Sequence, residues 1–408
     1  MTITLPHQDA TTGISAWLTL LLATASGLIA ANVYYAQPLV GPISASLGLS
    51  PQAAGLIVTM TQIGYGAGLL LVVPLGDLFE NRGLVVTMLG VAALALAGAA
   101  MSTHASSFLT AALLIGLGSV AVQVLVPYAA HLSPEAVRGR VVGNVMSGLM
   151  LGIMVARPVA SLITDVLSWH AVFVISALLM VGLGTVLRVA LPRRQPAPGL
   201  SYGALLVSMG RLARDTPILQ RRALYHACLF CAFSLFWTTV PLLLAETFRM
   251  SQTGIAWFAL AGVAGAIAAP LAGRAADRGW SRPGTRLSMI AVAASLLLGW
   301  LGSSGSYAGL AILVLAAILL DFGVIAHFVL GQRAIFSLGA EIRGRLNGLY
   351  MATFFMGGAI GSVLGGWTYA HGGWSLSMWV GLSLPMLALA CTFTERSPPI
   401  SAPHETRR

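Results

Sequence analysis

Two charged side chains, Arg157 and Asp321, lie inside long apolar stretches of this sequence and are its clearest candidates for chemistry. If these stretches cross a membrane, each charge costs ~2.5–3.5 kcal/mol at the bilayer centre, and such residues usually have a partner or a role. Removal from water favours the neutral form of a carboxylate, so Asp321 is a candidate for taking up and releasing a proton. A purely structural polar contact is the alternative.

Direct pairing of these two residues is a hypothesis that helix geometry permits. Arg157 lies roughly 25 Å along a helix from Arg140, and Asp321 roughly 18 Å from Arg333, a difference in depth of roughly 7 Å. A long arginine side chain covers part of that distance, but the sequence does not show whether the two helix faces meet.

The helix that carries Asp321 has a face that mixes polar and apolar groups. Asp321, Ile325, Phe328 and Gln332 share this face by helical spacing, as in a cavity wall or a helix-packing surface. His327 points elsewhere, so we expect a helix-packing histidine there and not an Asp–His relay.

The composition requires a bilayer around these residues. Hydrophobic residues make up 57% of the chain and charged residues 8%, with a mean hydropathy of +0.86. A soluble chain carries about 25% charged residues, so this one cannot cover a water-facing surface of its size. Its 46 glycines also fit membrane helices, in which small residues let backbones approach closely.

The basic and sulfur-containing residues exclude several functions. All 22 basic residues are arginine, and without lysine the chain can be neither a P-loop ATPase nor a Schiff-base protein. Cys228 and Cys231, with His226 nearby, resemble a redox or zinc motif but lie within an apolar span, so we expect small buried side chains. We therefore predict no metal, no cofactor and, despite the net charge of +10, no nucleic-acid partner.

Twelve stretches are long and apolar enough to cross a bilayer, which needs about 20 residues each. The predicted fold is an all-α membrane protein of twelve transmembrane helices in two pseudo-symmetric bundles of six. The first stretch is too long for a cleaved signal peptide and is expected to be retained. The predicted spans are 16–37, 53–75, 84–102, 107–129, 140–163, 170–190, 223–246, 253–273, 285–303, 307–331, 346–368 and 373–393.

Arginine placement predicts the orientation of these spans. Twenty of the 22 arginines fall in the loops after even-numbered spans or in the C-terminal tail, whereas Arg249 lies on the opposite side and Arg157 within a span. By the positive-inside rule, the arginine-rich side and both termini are cytoplasmic.

The longest loop divides the chain. It is rich in proline and arginine, and Tyr202–Leu212 within it could form an amphipathic surface helix, either as a plain connector or as a regulatory or lipid-binding element. The predicted organisation is a six-helix bundle at 1–190, a cytoplasmic loop at 191–222, a second six-helix bundle at 223–395 and a cytoplasmic tail at 396–408.

An internal repeat relates the two bundles. Arg138-Gly-Arg140 recurs as Arg343-Gly-Arg345, 205 positions later. Two pseudo-symmetric halves can rock about a central site and expose it to each side in turn, which favours a transporter over a receptor or an enzyme. The same relation holds for Gly152 and Gly357 and for Trp169 and Trp374, and Asp77 and Asp277 both open loops after even-numbered spans.

These motifs resemble the major facilitator superfamily over essentially the whole chain. The loop Gly273-Arg-Ala-Ala-Asp277-Arg278-Gly279 fits the family's loop motif well, whereas the loop through Asp77 lacks the first glycine and retains only Arg82. Asn32-Val-Tyr34-Tyr35-Ala-Gln37-Pro-Leu, at the outer end of the first span, together with the segment around Asp321, is similar to a bacterial drug or sugar efflux subgroup.

The resemblance implies roles for several residues. In the family, loop residues hold cytoplasmic helix ends together, although topology anchoring alone also explains the arginines; these gate candidates are Asp77, Arg82, Arg138, Arg140, Gly273, Asp277, Arg278, Arg343 and Arg345. The candidates for the central cavity are Asn32, Tyr34, Tyr35, Gln37, Gln123, Trp237 and Gln332, with an interfacial aromatic belt as the alternative for Tyr34 and Tyr35. Asp321 and Arg157 are the candidates for proton coupling or substrate binding.

Two departures from the family pattern concern proton coupling. The span-five signature normally ends in Gly-Pro, but here it reads Ala156-Arg157-Pro158. The family's span-four arginine is absent, because Leu113 to Gly118 is uncharged.

The sequence thus predicts a secondary transporter, not an enzyme, in the bacterial inner membrane. We expect proton-driven efflux by antiport of a moderately polar or cationic organic molecule, by a monomer that depends on the proton gradient. A proton-symport importer of a nutrient and a transport-incompetent sensor are the alternatives.

Overall fold

The computed structural model describes residues 15–196, 201–339 and 341–395, and the regular structure of these residues is helical. Apolar composition and abundant glycine permit long helices whose faces pack closely in a bilayer. The helices are α1 (Ala16–Ala31), α2 (Val40–Leu47), α3 (Leu56–Leu71), α4 (Asn81–Ala100), α5 (Ala105–Ser119), α6 (Ala121–Leu132), α7 (Glu135–Val166), α8 (Trp169–Ala190), α9 (Tyr202–Asp215), α10 (Pro217–Glu246), α11 (Gln252–Ala259), α12 (Ala268–Asp277), α13 (Ser281–Leu301), α14 (Tyr307–Phe336) and α15 (Arg343–Thr392).

Ten helical segments among the described residues are long and apolar enough to cross a membrane. One of them, α15, has 50 residues and departs from helical geometry at Gly372 and Gly373, so it crosses twice. Gly373 has φ +61°, a conformation that favours glycine. With α1–α2 as a further crossing, the predicted fold of twelve helices is confirmed. Spans 1 to 12 are α1–α2, α3, α4, α5–α6, α7, α8, α10, α11–α12, α13, α14 and the two parts of α15.

The first crossing is interrupted in its middle. Helix α1 ends at Ala31, a turn follows, and a 3₁₀ segment at Gln37–Leu39 leads into α2. Pro38 stands at the start of the 3₁₀ segment and has no N–H for a helical hydrogen bond. The Asn32–Leu39 motif therefore lies inside the crossing, and its predicted position at the outer end of span 1 is wrong.

Glycines bring pairs of helices into backbone contact in both halves. In the first half, a side chain at Gly152 of span 5 would overlap the backbone of Gly27 in span 1. In the second half, a side chain at Gly357 of span 11 would overlap the backbone of Ala227 in span 7. The repeated Gly152 and Gly357 therefore occupy equivalent helix crossings.

The two halves meet along spans 2 and 11 and along spans 5 and 8. Thr59 and Ser362 share a hydrogen bond of 2.6 Å between their hydroxyls. The hydroxyl of Thr253 donates to Asp165 over 2.6 Å near the ends of spans 5 and 8 that lie opposite the arginine-rich side. These contacts bring the second half within reach of side chains from spans 1 and 5 of the first half.

Helix α9 occupies the segment for which an amphipathic helix was predicted. It buries Leu205 and Met209 and begins after the capping hydroxyl of Ser201. Its Tyr202 hydroxyl donates to the carbonyl of Leu71 over 2.9 Å, and Arg345 donates to Ser208 over 2.9 Å. It therefore touches both halves. Helix α10 begins at Pro217, before the predicted residue 223, and the predicted tail 396–408 lies outside the described residues.

Candidate functional site

Arg157 and Asp321 face each other across the contact between the two halves. Nη1 of Arg157, from span 5, lies 4.0 Å from Oδ1 of Asp321, from span 10. The two side chains are only 4% and 8% exposed. A charge pair this well buried is expensive to separate, because removing one partner leaves the other uncompensated.

The guanidinium of Arg157 is held by one amide and three aromatic rings. Its Nε donates to Oε1 of Gln37 over 2.8 Å. Its central carbon lies 4.3 Å from the ring centroid of Trp237, 5.2 Å from that of Phe233 and 5.5 Å from that of Tyr34. We call these three rings the aromatic cage. A cation at such distances from aromatic faces is stabilised electrostatically.

Spans 7 and 8 position the carboxylate of Asp321. The indole Nε1 of Trp237 donates to Oδ2 over 3.0 Å, which leaves Oδ1 toward Arg157. Span 8 makes room with glycines, since a side chain at Gly265 would overlap the Cβ of Asp321 and one at Gly262 would crowd its carboxylate. The two carboxylate oxygens thus contact donors from different halves of the molecule.

The interruption of span 1 places Gln37 and Tyr34 in this site. Gln37 is fully buried and Tyr34 is 6% exposed. Because α2 continues the crossing beyond them, both residues lie at depth. Tyr35 is also buried, on the side that faces Ser176 of span 6. Burial of both tyrosines argues against the interfacial-belt alternative.

Three other cavity candidates lie apart from the pair and join neighbouring helices. The amide oxygen of Asn32 accepts from the Ser176 hydroxyl over 2.5 Å. Gln123 donates to the Tyr65 hydroxyl over 2.9 Å, and Gln332 donates to Asn347 over 2.9 Å. The structure therefore brings together only Tyr34, Gln37, Trp237, Arg157 and Asp321 from the predicted set.

Two gate candidates of the second half, Gly273 and Asp277, contact Arg333. Nη2 of Arg333 lies 2.6 Å from Oδ1 of Asp277, and Nη1 of Arg333 donates to the carbonyl of Gly273 over 3.1 Å. Arg343 donates to the carbonyl of Phe336 over 3.0 Å. Arg278 is exposed.

In the first half, the corresponding residues contact carbonyls of the chain. Arg82 donates to the carbonyls of Arg188 and Leu191 over 3.2 Å each. Arg138 donates to the carbonyl of Ala130 over 3.1 Å. Asp77 and Arg140 are exposed.

His327 packs against span 7. Its Nδ1 lies 3.0 Å from Nδ1 of His226, and the two rings stack with centroids 5.2 Å apart. Both residues are fully buried. A hydrogen bond between two such nitrogens needs one protonated and one bare atom. The pair thus serves the packing of spans 7 and 10, the role expected for His327.

Cys228, Cys231 and Cys391 are free thiols. Cys231 packs against Gly361 of span 11, where a side chain would overlap its backbone carbonyl. Among the described residues, no group of three or more His, Cys, Asp or Glu side chains is arranged to hold a metal ion.

Sequence reasoning missed Phe233, Gly262 and Gly265. A displacement of 200 positions, set by Asp77 and Asp277, relates Gln62 to Gly262 and Tyr65 to Gly265, but nothing in the sequence marks these two among its 46 glycines. Phe233 carried no comparable signal among the 14 phenylalanines.

Comparison with known proteins identifies the family of this chain. The family model of the Major Facilitator Superfamily matches residues 22–330 and 222–408. The uncharacterised transporter YgaY of Escherichia coli O157:H7 is 38% identical over 377 residues, which cover 92% of this chain and 95% of that protein. A chloramphenicol efflux pump of Mycobacterium tuberculosis is 26% identical over 275 residues, covering 65% of this chain and 64% of the pump.

A solved structure shows the same fold. The D-xylose-proton symporter superposes with a TM-score of 0.73 at 16% identity, covering 92% of this chain and 97% of the symporter. At that identity the likeness concerns the fold alone. By its family match and its relatives, the chain belongs to the major facilitator superfamily and is a multi-pass membrane transporter, not an enzyme.

Proposed function

We propose that this transporter exports a small organic molecule in exchange for protons, with Asp321 as the group that binds the proton. The observation that carries the proposal is the buried Arg157–Asp321 pair, which joins one half of the molecule to the other. A proton on Asp321 would cancel that attraction, so one chemical event changes the contact between the halves.

Three cations compete for one carboxylate in this mechanism. In the state described here, Arg157 faces Oδ1 while Trp237 donates to Oδ2. A proton or a cationic group of the substrate can take the place of Arg157. Because one carboxylate accommodates one of them at a time, binding of the proton and of the substrate exclude each other, and this exclusion is the basis of exchange.

Arg157 has other stabilising contacts when it separates from Asp321. Its hydrogen bond to Gln37 and its contacts with the aromatic cage come from spans 1 and 7 and persist without the carboxylate. A guanidinium stays charged at any physiological pH, so it must keep such contacts. When the two halves move apart, Gln37 and Tyr34 stay with Arg157 because they belong to the same half, whereas Phe233 and Trp237 move with Asp321.

The surroundings of the pair favour a moderately polar or cationic substrate with apolar surface. A small cavity beside Arg157 is otherwise apolar and includes Pro38, Val240 and Phe258 in its lining. The aromatic cage suits a cation or a flat ring. The chloramphenicol efflux pump among the relatives supports export of an organic molecule.

The placement of the arginines supports the orientation within the cell. We propose that the chain lies in the bacterial inner membrane, with both termini cytoplasmic, because twenty of 22 arginines fall on one side. It works as a monomer, with the proton gradient as its energy source and no further cofactor.

The test begins with a substrate, found by screening organic compounds for thermal stabilisation of the purified protein. Uptake of that compound into proteoliposomes is then measured with pH gradients of either sign. Antiport predicts accumulation when the lumen is acidic relative to the bath. Accumulation only with the opposite gradient would establish symport, and flux of no compound would favour a transport-incompetent protein. Asp215→Asn, an exposed carboxylate of α9 outside the assigned sites, serves as the control for Asp321→Asn.

A further inference from the structure

A second pocket lies far from Arg157, where spans 7, 9 and 12 end on the arginine-rich side. Its volume is about 390 Å³ when the solvent space at its mouth is included. None of the residues assigned to the Arg157–Asp321 site contributes to it. Its lining consists of Arg222, Arg282, Thr285, Arg286, Thr392 and Glu395.

The charges of this pocket suit a phosphate group. Three guanidinium groups and one carboxylate leave a formal charge of +2. Arg222 donates to the Thr285 hydroxyl over 2.8 Å, which fixes both side chains at the wall. Tyr225, beside the pocket, interacts with the carboxylate of Glu395. Arginine donors are typical of phosphate recognition.

The start of α13 adds a second favourable feature. The helix begins at Ser281, and the preceding Trp280 supplies no side-chain cap. The first backbone N–H groups of a helix lack intrahelical acceptors, and the helix dipole attracts anions there. Thr285 and Arg286 lie close to this helix start, so backbone and side chains favour the same kind of ligand.

The rim of the pocket shows where such a ligand comes from. Leu287 is 60% exposed and Phe393 73% exposed, and the guanidinium of Arg286 lies 5.2 Å from the ring centroid of Phe393. In a membrane protein, exposed apolar side chains beside a basic pocket face acyl chains. A phosphate attached to a lipid satisfies the pocket and the rim together, whereas a free phosphate satisfies only the pocket.

We infer that this pocket binds the phosphate headgroup of an anionic phospholipid at the arginine-rich surface of the second half. The bound headgroup joins spans 7 and 9 through Arg222 and Arg286 and so stabilises that bundle. Basic pockets between transmembrane helices take such headgroups in general.

The experiment measures binding of phosphatidylglycerol to the purified full-length protein by native mass spectrometry and by thermal shift, with phosphatidylcholine and inorganic phosphate as parallel probes. Arg222→Gln/Arg286→Gln is compared with Arg211→Gln/Arg214→Gln, which removes the same charge from exposed positions of α9. We expect the pocket variant to bind phosphatidylglycerol roughly 30-fold more weakly, since each arginine near an anionic lipid contributes a factor of about five.

Two outcomes would overturn the inference. Equal loss of binding in both double variants would show unspecific attraction, and equal stabilisation by inorganic phosphate would show a site for free phosphate. Arg286→Gln alone keeps the Arg222–Thr285 contact and reports on the pocket if the double variant does not fold. Neither result bears on proton exchange at Asp321, so this inference and the proposed function fail independently.

Discussion

Spans 4 and 10 occupy equivalent places in the repeat but differ in which helix carries the small residue that permits close packing. In the first half, Gly116 of span 4 is the small residue, and a side chain there would overlap the backbone at Thr61 and Tyr65 of span 2. In the second half, the position 205 residues later is Asp321, and the small residue is Gly265 on span 8. Because the glycine lies on the facing helix in the second half, span 10 has room for the carboxylate of Asp321.

Spans 5 and 11 differ in a complementary way. Arg157 corresponds by the same displacement to Ser362, which hydrogen-bonds Thr59 across the halves. Of these two contacts between the halves, that of Arg157 is therefore ionic and that of Ser362 is neutral. The repeat supplies the frame, and two substitutions within it make the first contact one that can respond to a proton, whereas the second cannot.

Gly116→Val should produce the largest effect on this comparison. The added side chain would meet backbone atoms of span 2, which cannot move aside, so we expect a loss of more than about 4 kcal/mol and little folded protein. Size-exclusion profiles of fluorescent fusions measure it. Gly90→Val, at an exposed position of α4 with open space around it, should fold normally. A well-folded Gly116→Val protein would show that the close packing of spans 2 and 4 is dispensable.

Arg157→Gln should be the next most damaging change, because it leaves the buried Asp321 without its counter-charge. We expect a loss of about 3–5 kcal/mol, and most of it should return in Arg157→Gln/Asp321→Asn. Thermal unfolding of both variants and of Asp321→Asn completes a double-mutant cycle. Additive losses would mean that the two residues do not interact.

Ser362→Ala tests the neutral contact. It removes one hydroxyl from a short hydrogen bond with Thr59, so we expect a loss of about 0.5–1 kcal/mol. The dependence of transport on the pH gradient should be unchanged. If that dependence shifted as strongly as in a variant of Arg157, the proposed division of roles between the two contacts would be wrong.

Arg333→Gln should have the smallest effect on stability. Its partner is Asp277, and the two side chains are 47% and 64% exposed, so solvent screens the pair and the loss should be about 0–1 kcal/mol. Thermal shift against the Asp277→Asn variant measures it. A loss as large as that of Arg157→Gln would indicate that this pair contributes more to the free energy of unfolding than its exposure explains.

The fold followed from the sequence because its physical signals are strong and redundant. Twenty apolar residues in a row have few soluble alternatives, and the repeated Gly152 and Gly357 mark equivalent crossings. The interruption of span 1 was missed because the polar residues Asn32 and Gln37 and the two tyrosines were interpreted as the outer end of the span. Hydropathy measures transfer from water and does not register the missing N–H of Pro38.

The site was predictable in part. Charge identified Arg157 and Asp321, since a charge in an apolar span is costly wherever the helix faces. Residues without such a cost gave weaker signals. Asn32 shares its segment with Tyr34 and Gln37, yet it bonds to Ser176 of span 6, because neighbouring positions of a turn point in different directions.

The most direct test of the account is transport by Asp321→Asn in proteoliposomes, measured in two modes. The amide mimics the protonated carboxylate but cannot release a proton, so accumulation driven by the pH gradient should fall at least about 100-fold. Exchange of labelled for unlabelled substrate without a gradient should fall as well, because a neutral side chain at this position excludes the substrate as a bound proton does. Gradient-driven accumulation at the rate of the control Asp215→Asn would contradict the claim that Asp321 couples transport to protons.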